Sequence, residues 1–356
     1  MRHLRFAFLL LGLLFLSYCG SDDGVTEQIA IPDTFTVDIP SSLSSPTGTL
    51  SGRTSGDGDG VIEGDEIYES LRHFINIGEQ SAEIVEYVLQ VGAALEQANV
   101  TTFTFTGDED GREKRIDIVR NSTRGGVTFD YEMTLVDTEE DDRALQMLWN
   151  TSPMTGIAIL NPYQLERTTD TSPDVHVRVD YSTINDIYDE FMLVTISGID
   201  PIDDGDIDNL ALFAGRVGDE VDVIGNSNHP NLTIIDETFA GGRNYAFVGR
   251  ANENSGIGVA KLALPPSTVN TSNVLDPYSV FSVLEDEIQS VGITDQALID
   301  QILVNAQSPA YFNSSGFISA GPDNVPDGFS SSFIDLSSLT PFIPDDVRTL
   351  EVTFIP

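Results

Sequence analysis

The chain has 356 residues, with 57 Asp and Glu against 17 Lys and Arg, a formal net charge of -40 and one cysteine. That balance excludes a nucleic-acid binder working through a basic surface, and electrostatic attachment to anionic lipid headgroups. The lone cysteine excludes an internal disulfide framework and a cysteine metal cluster, while 40% hydrophobic and 8% aromatic residues allow a sizeable core in one large β-rich domain or two smaller ones.

At the N-terminus, Arg2 and Arg5 precede an apolar run from Phe6 to Leu16, followed by Ser17, Tyr18, Cys19 and Gly20. The run is too short for a membrane span of about 20 residues. Residues 1–19 therefore read as a secretory signal, which makes the mature protein extracytoplasmic. With the only cysteine directly after the apolar run, the segment resembles the lipobox of bacterial lipoproteins. The resemblance implies that Cys19 is lipidated, becomes the new N-terminus and ties the protein to a membrane. Tyr18 departs from the small residue usual before that cysteine, and ordinary signal-peptidase cleavage after Cys19 is the alternative. Gly20 and the run Ser21-Asp22-Asp23 resemble the sorting signals of outer-membrane and surface lipoproteins. A merely solvated acidic tether is the other reading of that run.

Residues 20–62 are rich in Ser, Thr, Gly, Pro and Asp and read as a tether, interrupted by one short strand in which Phe35, Val37 and Ile39 alternate with Thr36 and Asp38. Glu66 to Gln97 carries the strongest helical signal, with Ile67, Leu71, Phe74, Ile84, Val88, Val91 and Leu95 at spacings of three and four; Gly78 marks a kink or turn. Strands are expected at 101–106, 115–120 and 127–135, where Val127, Phe129, Tyr131, Met133 and Leu135 alternate with polar residues. Further strands are expected at 145–149, 156–160, 175–181 and 191–197. Together with the helix they make a segment 63–200 built as an antiparallel meander. Gly198 to Asp206, with Pro201 and four aspartates, breaks the pattern and divides off a second β-rich segment, 201–356, in the same domain or a separate one. That segment has strands at 209–216, 245–250 and 257–264, short helices at about 279–290 and 295–306 with Thr294 as N-cap of the second, and a terminal strand of Leu350, Val352 and Phe354. The fold class expected is β-rich α+β: a curved antiparallel sheet or half-open barrel packed on a long N-terminal helix. The two terminal strands would pair to close it.

The best local motif runs from Ser55 to Glu66. On the twelve-residue loop of EF-hands, Asp57 and Asp59 take positions 3 and 5, Gly60 the sharp turn, the Val61 carbonyl position 7, Glu63 position 9 and Glu66 the bidentate position 12. Alternate carboxylates wrapping a hard cation point to Ca²⁺. Position 1 is Ser55 rather than Asp, and no helix enters the loop, so the competing reading is an acidic linker running into a helix whose first turn favours carboxylates. A second acidic cluster, Asp204 to Asp208, reads as a solvated turn.

No catalytic signature accompanies these features. His73, His176 and His229 are isolated in sequence, with no nucleophile elbow, zinc-binding helix or phosphate loop near them. The reading this supports is an envelope or surface-anchored lipoprotein with a non-enzymatic role, binding a hydrophobic or protein ligand or acting structurally. The alternatives are a carboxylate-based surface hydrolase and a calcium-dependent adhesion or interaction module. Loss of Arg2 and Arg5 with the signal leaves 15 basic residues against 57 acids, a net -42. Only Lys114 and Lys261 are lysines, a composition suited to saline surroundings that screen self-repulsion.

Overall fold

The computed structural model describes residues 34–46, 62–97, 101–107, 110–167, 172–201, 206–232 and 242–356. Its frame is one antiparallel sheet of thirteen strands, which does not close on itself. In order of pairing these are β2 (Thr102–Thr106), β3 (Glu113–Arg124), β4 (Val127–Asp137), β5 (Asp142–Thr151), β6 (Met154–Leu160), β7 (His176–Ser182), β8 (Glu190–Ser197), β9 (Asn209–Val217), β10 (Glu220–His229), β11 (Arg243–Asn252), β12 (Ile257–Ala263), β14 (Ala310–Asn313) and β15 (Gly316–Ala320). Between β12 and β14 the chain forms α3 (Val280–Ser290), α4 (Gln296–Ile302) and β13 (Leu303–Val304), the last paired in parallel with β1 (Ile62–Glu63). Helix α1 (Gly64–Gln97) precedes the meander, α2 (Pro162–Leu165) caps the β6–β7 connection, and α5 (Pro344–Arg348) lies in the C-terminal segment.

Period-two alternation explains the two faces. One face carries Met133, Met147, Ala158, Val179, Val194 and Leu212 along a continuous register from β4 to β9. All are buried in the main core with Ile67, Leu71, Phe74, Ile75, Ala82 and Val85 of α1. At about 1.5–3 kcal/mol for each large apolar side chain buried, this seam is the main reason that helix and sheet adhere. Gly78 is not a kink: the helix runs through it, and a Cβ there would collide with Leu212 of β9. Its missing side chain lets helix and strand approach.

Residues 34–46, assigned to the tether by composition, belong to the packed body. Phe35, Val37 and Leu43 are fully buried in the main core, yet residues 34–40 pair with no strand. Phe35 stacks on Tyr181 and occupies the space over Gly156, where any Cβ would overlap its ring. The expected strand at 35–39 is thus an extended inlay: its alternation reflects burial rather than sheet pairing.

The C-terminal strand is corrected in the same way. Residues 350–356 pair with no strand, and they do not meet the inlay, which lies on the helix-covered face. They cross the opposite face of the sheet as the end of a long strap. Phe333, Leu336 and Leu339 pack on Val248, Val259 and Tyr311. Asn244 of β11 then donates to the Pro344 carbonyl, Asn226 of β10 to that of Phe342, and Asn209 of β9 to those of Val347 and Arg348. Further along, Val352 N–H donates to Ser197 Oγ of β8, Phe354 meets His176 of β7, and Ile355 exchanges two hydrogen bonds with Gln146 of β5.

The acidic break at 198–208 separates no domains, since β8 and β9 pair across it in one sheet. Helix α3 lies at its expected span, but α4 ends at Ile302 instead of running to 306, because Leu303 and Val304 pair with β1, and its N-cap is Asp295, whose carboxylate accepts the Ala297 N–H, rather than Thr294. Strand β10, unforeseen in the sequence, hides its pattern behind Gly225, Asn226, Ser227 and Asn228.

Candidate functional site

The inlay is held to α1 by carboxylates. Glu79, Glu83 and Glu86 recur at helical spacing. Glu86 Oε1 accepts from the Thr36 hydroxyl at 2.8 Å and from the Thr34 hydroxyl and Phe35 N–H. Glu79 accepts the Ile39 N–H at 2.8 Å and the Ser44 hydroxyl, which also accepts from Asn76 Nδ2. Lower on the helix, Arg72 donates to the Ser41 carbonyl at 2.6 Å. Burial pushes the Glu79 carboxyl above its ordinary pKa, hydrogen bonds from Ser44 and Ile39 pull it partly back, and Glu83 and Asp38 push it up again. Glu83 is raised by burial and by Glu86 and Asp38. Chemically this is a clasp between the inlay and α1.

A second cluster pins the far end of the sheet. Lys114 Nζ, 1% exposed, lies 2.9 Å from both Asp110 and Asp137 and 3.0 Å from the Gln164 carbonyl. Arg112 also binds Asp137, while Arg112 and Arg167 reach out to Glu140. Burial opposes the charge on Asp137, but hydrogen bonds from Arg112 and Lys114 outweigh it and hold the carboxyl well below the usual range. A third cluster sets Glu132 of β4 among Ser122, Arg124 and Gln146. Glu79, Glu86, Asp110, Asp137 and Glu132 are each occupied by donors from their own chain.

Among the histidines, His229 comes nearest to a catalytic arrangement, with Nε2 2.7 Å from Ser227 Oγ. That is nucleophile-to-base spacing. Both residues are fully buried, however, and His229 sits between the rings of Phe74 and Tyr245 beneath α1. The pair is a satisfied polar contact in the core. His176 contacts the Asp174 carbonyl and Asn161, and His73, half-buried in α1, has its pKa lowered by burial.

Of the sequence motif for calcium, Ser55, Asp57, Asp59 and Val61 lie outside the described residues, as does Cys19. Glu63 falls in β1 and Glu66 in the exposed first turn of α1. Among the described residues no group of three or more His, Cys, Asp or Glu is arranged to hold a metal ion, and no helix is long and apolar enough to cross a membrane. In the second acidic cluster, Asp208 hydrogen-bonds through its N–H to the Asn228 carbonyl beside buried Ile207, so this part of the loop is anchored to β10.

Sequence reading missed the glutamate clasp and the asparagine row under the strap. The clasp had a signal, acids at positions 79, 83 and 86 on one helix face. The asparagines had none, because isolated Asn residues in strands do not announce which carbonyl they serve. No family model matches the chain, and no curated protein or solved structure is detectably similar to it.

Proposed function

We propose that the protein is an extracytoplasmic lipoprotein, held at the outer membrane or cell surface through Cys19, whose body has a non-enzymatic structural or interaction role. On this reading the thirteen strands, each twisted by about 20–25° on the last, curve as a half-open barrel around α1. One observation carries the choice between container and scaffold: the chain covers both faces of its own sheet, with α1 and the inlay on one side and the strap on the other. Beneath α1, the buried rings of Phe74, His229 and Tyr245 pack on one another and Phe35 stacks on Tyr181, so part of the space there is occupied by side chains. A carrier of apolar molecules needs that volume for its ligand. The clasp supports the anchoring half of the reading, because a tether pulled from residue 33 would load a segment held by several hydrogen bonds and four buried apolar side chains.

The test is mass spectrometry of small molecules released by denaturing the purified protein. The scaffold reading expects none in stoichiometric amount. A stoichiometric apolar molecule would replace it with the carrier reading, and a carbohydrate that the protein hydrolyses would replace it with the hydrolase reading.

A further inference from the structure

The two edges of the sheet are treated in opposite ways. At the β15 edge, α1 lies alongside, and the Phe317 N–H is taken by Glu69 of that helix. The β14–β15 ladder is also broken by a register shift between Tyr311 and Phe312. Shielding and irregularity are how proteins prevent an edge from pairing further.

Among the described residues, the β2 edge has none of this. Its sequence is Thr102-Phe103-Thr104-Phe105-Thr106, with no charge, no proline and no bulge, and all of it except Phe105 is exposed. Ile118 N–H donates to the Thr101 carbonyl, and Gly107 N–H to that of Arg112. In an antiparallel ladder hydrogen-bonded pairs alternate, so Phe103 and Phe105 also turn their backbone groups toward β3. Thr102, Thr104 and Thr106 turn theirs outward, and among the described residues nothing takes them. Phe103 and Phe105 stack with centroids 6.0 Å apart on the face that carries Ile116.

We propose that β2 is a docking edge for a second copy of this chain, paired antiparallel about a two-fold axis midway between the two copies of Thr104. The segment reads the same in both directions. Rotation about that axis therefore sets Thr104 against its own copy and Thr102 against Thr106. All three outward residues then lie in hydrogen-bonded pairs, each pair exchanging two backbone bonds. On one face Phe103 meets Phe105 of the second copy, a favourable aromatic cross-strand pair, and on the other threonines meet threonines. An isologous contact of this kind closes at the dimer. The charge argues the same way: two bodies of net charge -40 repel, and a strand without charge is where they can touch. Salt that screens this repulsion strengthens the pairing.

The experiment is sedimentation velocity of the purified Cys19→Ala chain, free of acyl groups, up to about 100 μM and at about 0.1 and 0.5 M NaCl. It is paired with hydrogen exchange at the β2 amides. The expected result is a dimer whose fraction grows with salt, and protection of Thr102, Thr104 and Thr106 that grows with protein concentration. Thr104→Pro removes an outward N–H without touching a β2–β3 bond, and Thr104→Lys places two ammonium groups across the axis. Each is expected to weaken association at least tenfold. If Thr104→Pro does not fold, Thr104→Lys and the wild-type exchange data still decide. A wild-type monomer at 100 μM with unprotected β2 amides overturns the proposal, and so does a dimer that survives both substitutions. A monomer whose β2 amides become protected only with another protein assigns the edge to a different occupant and equally overturns pairing with itself.

Discussion

Replacing Asp137 by Asn tests whether the buried cluster at Lys114 holds the far end of the sheet. The substitution keeps the shape and removes one negative charge from a site with no solvent exposure. Hydrogen bonds from Arg112 and Lys114 lose their charged acceptor, while Arg112 retains Glu139 and Glu140 and Lys114 retains Asp110. Removing one partner of a buried pair costs about 3–5 kcal/mol. The surviving partners place this case at the low end, about 3 kcal/mol, which lowers Tm by several degrees in a chain of this size. The pH dependence has a definite sign. The folded carboxyl titrates well below its unfolded value, so its stabilisation is fully present above about pH 4 and is lost as pH falls through the folded value. Urea denaturation of both proteins between pH 3 and 8 should show a constant deficit at pH 5 and above that begins to shrink below about pH 4. A deficit below about 1 kcal/mol at pH 7, or one already gone at pH 5, refutes the reasoning.

Glu79 should behave oppositely. Its folded pKa is raised, chiefly by burial, so its contribution is fully present below the unfolded pKa and lost as pH rises through the folded one. Glu79→Gln should therefore gain on wild type as melts move from pH 4 to pH 8, and a relative loss over that range contradicts the clasp as described. Asn226→Ala removes the donor to the Phe342 carbonyl and the acceptor for Asn244. It should cost about 1–3 kcal/mol and speed proteolysis within residues 322–356; unchanged cleavage there means that the strap is held by its apolar contacts alone. For the loop from Ser55 to Glu66, a bound Ca²⁺ raises Tm relative to chelator, and identical melts in the two conditions remove the calcium reading.

The repeating parts of this protein were legible and the unique parts were not. Strands such as 127–135 and 191–197 declare themselves because alternate residues face one core, and helix 66–97 because Ile67, Leu71, Phe74 and Val88 of its apolar stripe face the same core. Phe35, Val37 and Ile39 alternate just as clearly, but alternation reports burial on one side and says nothing of pairing. The same holds for the C-terminal residues, where the Val352 N–H is served by the Ser197 side chain and the Ile355 N–H by that of Gln146 rather than by a strand. Strand β10 was hidden because its buried face changes from Val221 and Val223 to Gly225, Ser227 and His229, polar groups satisfied only in the assembled core. Lys114 shows the same limit: one of two lysines in an acidic chain reads as solvated until Asp110 and Asp137 close over it.

The claim that matters most is the anchor. Labelling cells with a clickable palmitate analogue, for wild type and for Cys19→Ala, tests it directly. The account expects label on the wild-type protein in the membrane fraction and none on the variant. Label that persists in Cys19→Ala, or a wild-type protein that carries none, would contradict it.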